Sequence, residues 1–416
     1  MVKAILEKPN IDVNRRNNKG YTPLLSTLRH KYSPGNAIEK ALLLLEFGAD
    51  ASAVDNEGDS AFHLAAATRF ASTKDEKGRE VKRELLGEHL IHALRSSGAN
   101  PNTLNNAGDT PLHVMNYRVR DFSIDVFTAL VEAGLDTETR DKQCRTPLFK
   151  AVSDAHDTNS CKKTLDVMVK AGCSARTLDD RGTNLLFPVT IGDRSDLFPH
   201  LINLGLDPKL VDHDGNTLWH VAVTCGPHTE LRTQLLDLGV DPEQANRCGQ
   251  TPLHVINGRR THPFDDQNKD LKGPATFDKF LALVRNYDTA DENRVTALHI
   301  ASTFSAYQTK KLLQAGADWT RNRYTREGLT VFHLAARSRQ ANIIGVLEDF
   351  ITSKGEEEVI PISVNRRDVR GRSSMWYACA SGRIETVRML LDLEAMVDAE
   401  TYVAPLVVTL SSVLFY

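Results

Sequence analysis

The stretch from Asp212 to Asp241, DHDGNTLWHVAVTCGPHTELRTQLLDLGVD, constrains the chain more than any other. A turn signal at Asp214-Gly215 precedes Asn216-Thr217, and Thr217 stands where a helix N-cap belongs. The apolar run Leu218, Trp219, Val221 and Ala222 follows, and Cys225-Gly226-Pro227 breaks it. A second run, Leu231, Leu235, Leu236 and Leu238, closes on Gly239. The unit reads as turn, short helix, turn, helix and glycine stop. A pair of such helices has one apolar face and nothing of its own to bury it against, so it requires neighbours.

The chain supplies them. Aligned on the turn glycine, ten copies appear, with boxes YTPLL, DSAFHLA, DTPLHVM, RTPLFKA, TNLLFPV, NTLWHVA, QTPLHVI, VTALHIA, LTVFHLA and RSSMWYA. Gly20, Gly58, Gly108, Cys144, Gly182, Gly215, Gly249, Arg294, Gly328 and Gly371 hold the glycine position. The spacing is 34 residues from Gly215 to Gly249 and from Arg294 to Gly328, but 50 from Gly58 to Gly108. The extra residues are placed near 69–84, 257–276 and 351–363, because a stacked interior pushes insertions into loops. The array is expected over 1–400, with 401–416 an apolar tail or a degenerate partial repeat. A piece of a longer array is the expected reading, with a tail that packs as a hydrophobic cap as the alternative.

The box follows from helix chemistry. Thr110, Thr146, Thr217 and Thr251 are placed to cap free N–H groups of the first helix, worth about 0.5–2 kcal/mol each. Pro111 and Pro252 fall in the first turn, where proline forfeits no hydrogen bond.

Thr110-Pro111-Leu112-His113 and Thr251-Pro252-Leu253-His254, with a period near 33, resemble the ankyrin repeat. The resemblance covers essentially the whole chain, and its long insertions and eroded boxes are similar in style to divergent ankyrin proteins of filamentous fungi. It implies an all-α ankyrin-repeat solenoid of stacked helix–turn–helix units with hairpin-like turns. It also implies that His63, His113, His220, His254, His299 and His333 bond to backbone and to the box hydroxyl.

Composition narrows the function classes. A net charge of -3, with 41% hydrophobic and 25% charged residues, favours neither nucleic acid nor an acidic tail. No stretch approaches the roughly 18 apolar residues of a membrane span, and MVKAILEKPN lacks the apolar core of a signal peptide. Six scattered cysteines without a CxxC fit reduced thiols, so an intracellular location, cytoplasmic or nuclear, is expected.

Catalytic, cofactor and metal sites are not expected. His89 and His92 lie three apart on a helix but have no third ligand at a recognisable spacing. Cys173 and Cys379 read as packing residues. No phosphate-binding glycine loop or nucleophile signature occurs. The expectation is a non-catalytic, monomeric scaffold that binds another protein through its concave face and turn tips. The alternative is a sensing or substrate-recruiting fragment of a larger signalling protein or enzyme. The tip residues expected to bind are Tyr21, Asp59, Asp109, Arg145, Arg181, Asn216, Arg247, Gln250, Leu329, Arg370 and Arg372, with Tyr21 as an exposed aromatic anchor. Arg321, Arg323, Arg326, Arg337 and Arg339, with Arg366, Arg367, Arg370 and Arg372, form a basic cluster. It reads either as a solvated face balanced by Glu356, Glu357 and Glu358 or as an acidic-peptide patch.

Overall fold

A computed structural model describes residues 2–8, 11–29, 34–67, 73–74, 80–81, 83–115, 124–155, 158–225, 229–258, 272–319, 325–340 and 342–397. The tail at 401–416 and most of the 257–276 insertion lie outside these residues. The chain divides into two compact units, Met1–Asp207 and Pro208–Tyr416.

The first unit opens with α1 (Val2–Leu6) and continues with α2 (Pro23–Arg29), α3 (Pro34–Glu46) and α4 (Ala61–Ala67). Between α4 and α5 (Arg83–Ser96), β1 (Thr73–Lys74) and β2 (Glu80–Val81) pair antiparallel with Thr73 opposite Val81. The unit closes with α6 (Ile124–Glu132), α7 (Pro147–Asp154), α8 (Thr158–Lys170), α9 (Leu186–Ile191) and α10 (Phe198–Asn203). The second unit holds α11 (Leu218–Ala222), α12 (Thr229–Asp237), α13 (Pro252–Gly258), α14 (Lys272–Leu281), α15 (Ala297–Phe304), α16 (Ala306–Ala315), α17 (Val331–Arg337), α18 (Asn342–Ser353), α19 (Val359–Val364), α20 (Ser374–Ala380) and α21 (Ile384–Asp392). The two ends of the 257–276 stretch are helical, and so are the two ends of 351–363, where α18 finishes and α19 begins.

First helices pack on first helices and second on second. In the second unit α11, α13, α15, α17 and α20 form one row, and α14, α16, α18 and α21 form the other. Each interface buries the apolar stripe that a single pair leaves open. Trp219 on α11 is fully buried, stands 5.5 Å from the Phe280 ring and donates its indole N–H to the Val240 carbonyl at 2.8 Å. In the first unit Phe62, Phe127 and Phe198 are almost completely excluded from water. An aromatic side chain of this size contributes roughly 1.5–3 kcal/mol on burial.

The third box departs from the pattern. Residues 111–115 form hydrogen-bonded turns, with Val114 N donating to Thr110 O at 3.3 Å, and no regular helix is formed there.

Candidate functional site

The turns that join the helix pairs share one construction. Three residues before the glycine position stands Asn17, Asp55, Asn105, Asp141, Asp179, Asp212, Asn246, Asp291 or Asp368, with Thr325 in the ninth copy. The side-chain oxygen of the Asn or Asp accepts two backbone N–H groups, those two and four residues on. Asp55 Oδ1 takes Glu57 N at 2.8 Å and Asp59 N at 2.9 Å, and Asp368 Oδ1 takes Arg370 N and Arg372 N at 2.8 and 2.9 Å. Such a side chain substitutes for backbone and pins the loop. The box alone does not reveal these residues; their signal in the sequence is an Asn or Asp three residues before the turn glycine.

Successive turns are laced together. Asn56 N donates to Lys19 O, Asn106 N to Glu57 O, Arg326 N to Asn293 O and Val369 N to Glu327 O, at 2.8–3.3 Å. The close approach explains the glycine. Gly20 has φ 77°, and a Cβ there would lie 2.4 Å from Asn56 Oδ1 and 2.9 Å from its N. Cys144 and Arg294, which replace the glycine in two copies, are forced to φ 57° and 59°, the left-handed region that a side chain disfavours.

The box histidines join one repeat to the next. His113 Nδ1 accepts Thr110 N at 3.2 Å and the Thr110 hydroxyl at 2.8 Å. Its Nε2–H donates to the Arg145 carbonyl at 2.9 Å. His63, His220, His254 and His333 make the same contacts, to the carbonyls of Asp109, Gln250, Val295 and Arg372. His299 makes the N-terminal half, with Thr296. A carbonyl only accepts, so Nε2 carries the proton and the ring is neutral. Burial lowers the pKa of His63, His113, His220, His254 and His333, against a smaller opposing pull from their carbonyl partners. Thr146 caps α7 through Phe149 N at 3.3 Å, and Thr217 caps α11 through His220.

With the backbone held in this way, exposure is decided by position. In all ten turns the two residues before the glycine position are exposed, from Asn18-Lys19 and Asn56-Glu57 to Arg326-Glu327 and Val369-Arg370. The residue after it is buried or half-buried in every copy. Its N–H is tied to the turn's Asn, Asp or Thr side chain, which folds it back against its own repeat.

This corrects the expected tip set. Tyr21 is 9% exposed, with Arg29 4.9 Å above its ring, and Leu329 is 6% exposed; neither is an exposed anchor. Asp109 is held by Lys150 Nζ at 2.9 Å, and Asp59 accepts Asn105 Nδ2 at 2.9 Å. Arg145 pairs with Asp141 at 2.8 Å. Asn216 bonds Asp212 and Asn246, while Gln250 is half-buried and offers its carbonyl to His220. Arg372 pairs with Asp368 at 2.7 Å and stacks 4.9 and 4.8 Å from the Trp376 and Tyr377 rings. Arg181, Arg247 and Arg370 are exposed.

Burial would raise the Asp368 carboxyl, but bonds from Arg372, the Arg370 N–H and the Tyr377 hydroxyl outweigh it and hold the pKa below the usual range. The same burial and the Asp368 bond push Tyr377 up to about 12. Burial raises Cys173 and Cys379 to about 11, which keeps both thiols protonated and poorly nucleophilic. On the second-helix side, His92 lies 4.0 Å from Glu88, with Glu132 in the same cluster, while His89 points to solvent. Of the basic cluster, Arg321 and Arg323 lie outside the described residues; Arg326, Arg337, Arg339, Arg366 and Arg367 are exposed.

Among the described residues, no helix is long and apolar enough to cross a membrane. Residues 298–401 match the family model described as ankyrin repeats in three copies. The crystal structure of the human ASB11 ankyrin repeat domain is similar at 19% identity with a TM-score of 0.47, covering 61% of this chain and 100% of that one. Taken with the boxes and the laced turns, the family match identifies residues 298–401 as ankyrin repeats.

Proposed function

We propose that this chain is a non-catalytic scaffold that binds another protein through the concave face made by its first helices and turn tips. Ankyrin repeats are generally protein–protein interaction modules, and the fold is typically non-catalytic. The observation that supports this reading is the division of labour within each turn. One set of residues fixes the backbone, and the exposed pair before the glycine differs from copy to copy, with only Asn56, Asn106 and Lys142 among the described pairs seen to bond the preceding turn's carbonyls through their side chains. Those pairs range from Asn18-Lys19 through Asp180-Arg181 and His213-Asp214 to Val369-Arg370. A pre-ordered backbone presenting varied side chains lowers the entropy cost of association without requiring a pocket.

The test is affinity isolation from the native cell with wild-type chain and with an Arg181→Ala, Arg247→Ala variant. Both residues are exposed, so the variant should keep its helical circular dichroism while losing partners. Partners retained by that variant but lost when exposed second-helix residues such as Leu236 are changed would overturn the reading.

A further inference from the structure

Residues 325–340 and 366–383 carry eight arginines and only two acids, Glu327 and Asp368, in a chain whose net charge is -3. Asp368 is spent internally, because its carboxylate is bonded to Arg372 and to the Tyr377 hydroxyl. Arg326, Arg337, Arg339 and Arg370 are exposed, and among the described residues no carboxylate forms an ion pair with them.

Their placement follows the fold. Arg326 and Arg370 belong to the exposed pairs of adjacent turns, which are joined by the bond from Val369 N to Glu327 O at 3.0 Å. Arg337 ends α17, and it lies close enough to act electrostatically on the Tyr377 hydroxyl of the neighbouring α20. Beyond it, the Arg339 carbonyl accepts from the Arg383 guanidinium, so the far ends of the same two helices meet as well. Positive charge therefore stands at both ends of the α17–α20 pair.

We propose that this surface recognises an extended acidic segment of a partner protein, running along α17 and α20 from the turn arginines Arg326 and Arg370 to Arg337 and Arg339. The proposal rests on the first-helix and tip reading given above and names the partner's chemistry. The seven residues of α17 rise about 10 Å, which three or four residues of an extended peptide span at roughly 3.3 Å each. Spaced guanidinium groups suit carboxylates at that repeat, since each is a planar fork of donors. Open rings for stacking bases are scarce on both helices: the Phe and His of α17 and Tyr377 of α20 are buried, and Trp376 is half-buried with Arg372 stacked on it.

The experiment is fluorescence anisotropy of the whole chain with a short labelled glutamate-rich peptide, its glutamine counterpart and a short single-stranded oligonucleotide. The glutamate peptide should bind, the glutamine peptide should not, and raised salt should weaken the complex. A triple variant, Arg326→Gln, Arg337→Gln, Arg370→Gln, should lose at least roughly tenfold in affinity. No binding of the glutamate peptide, equal binding of the oligonucleotide, or an unchanged triple variant overturns the proposal. A random-peptide selection mapped by hydrogen exchange separates the two levels. Neutral peptides protecting first helices elsewhere sink only the acidic assignment. Protection confined to second helices sinks the scaffold reading too.

Discussion

The Nε2 of His63 lies 2.9 Å from the carbonyl of Asp109, a residue 46 positions further along the chain and in the next repeat. The same ring accepts the Ser60 N–H through Nδ1, so one side chain closes a helix N-terminus and fastens two turns. His220 does the same between Thr217 and Gln250. His220→Ala leaves the buried Thr217 N–H without its acceptor and takes from Gln250 O one of its two donors, the other being Asn246 N, and should cost roughly 1–3 kcal/mol. Urea unfolding measures it; a loss below about 0.5 kcal/mol would contradict the bridging role.

These rings also set a pH dependence. Five box histidines have pKa values lowered from 6.5 by burial. Above that value both folded and unfolded chains are neutral at these positions. Below it the unfolded chain takes up protons first, so stability is full above about pH 6.5 and falls as pH drops toward the folded values. Asp141 and Asp368, lowered from 3.8, act only in more acid solution. Urea midpoints should therefore fall between pH 7 and pH 5, and a midpoint that rises or stays level over that window counts against neutral, bonded rings.

The turn glycine has a converse test. Cys144 and Arg294 sit at φ 57° and 59°. Cys144→Gly and Arg294→Gly should each stabilise by about 1 kcal/mol, by removing the left-handed strain of a side chain. Gly20→Ala should destabilise, because its Cβ would meet Asn56 at 2.4 Å. Thermal unfolding of the three variants reads both signs.

Two arginines flanking Gly371 should behave differently. Arg372 bonds the buried Asp368 carboxylate and stacks on two rings. Its loss to alanine should cost roughly 2–3 kcal/mol, since a buried carboxylate loses its counter-ion and keeps only the backbone N–H groups and the Tyr377 hydroxyl. Arg370 is exposed, and Arg370→Ala should leave stability within about 0.5 kcal/mol. Equal effects in chemical denaturation would dissolve the distinction between holding and presenting residues.

That distinction marks the limit of what the sequence discloses. The boxes, the turn glycines and the helix stops are local signals, and they were enough to place helix pairs and their stacking. The exposed pair at each turn depends on a backbone folded back by Asn or Asp. Without that geometry Tyr21 reads as an exposed aromatic, whereas Arg29 covers it from a helix that packs only in the folded chain. Arg372 reads as a free tip until the turn brings it onto Asp368, four residues earlier. The third box carries a full Thr-Pro-Leu-His and still forms turns in place of a regular helix, so capping chemistry alone does not propagate a helix there.

Hydrogen exchange of the whole chain, free and bound to the partner recovered by affinity isolation, tests the central claim most directly. The account predicts that protection on binding gathers at the turn tips and first helices such as α15, α17 and α20. Protection confined to second helices such as α16, α18 and α21, with the tips unchanged, would contradict it.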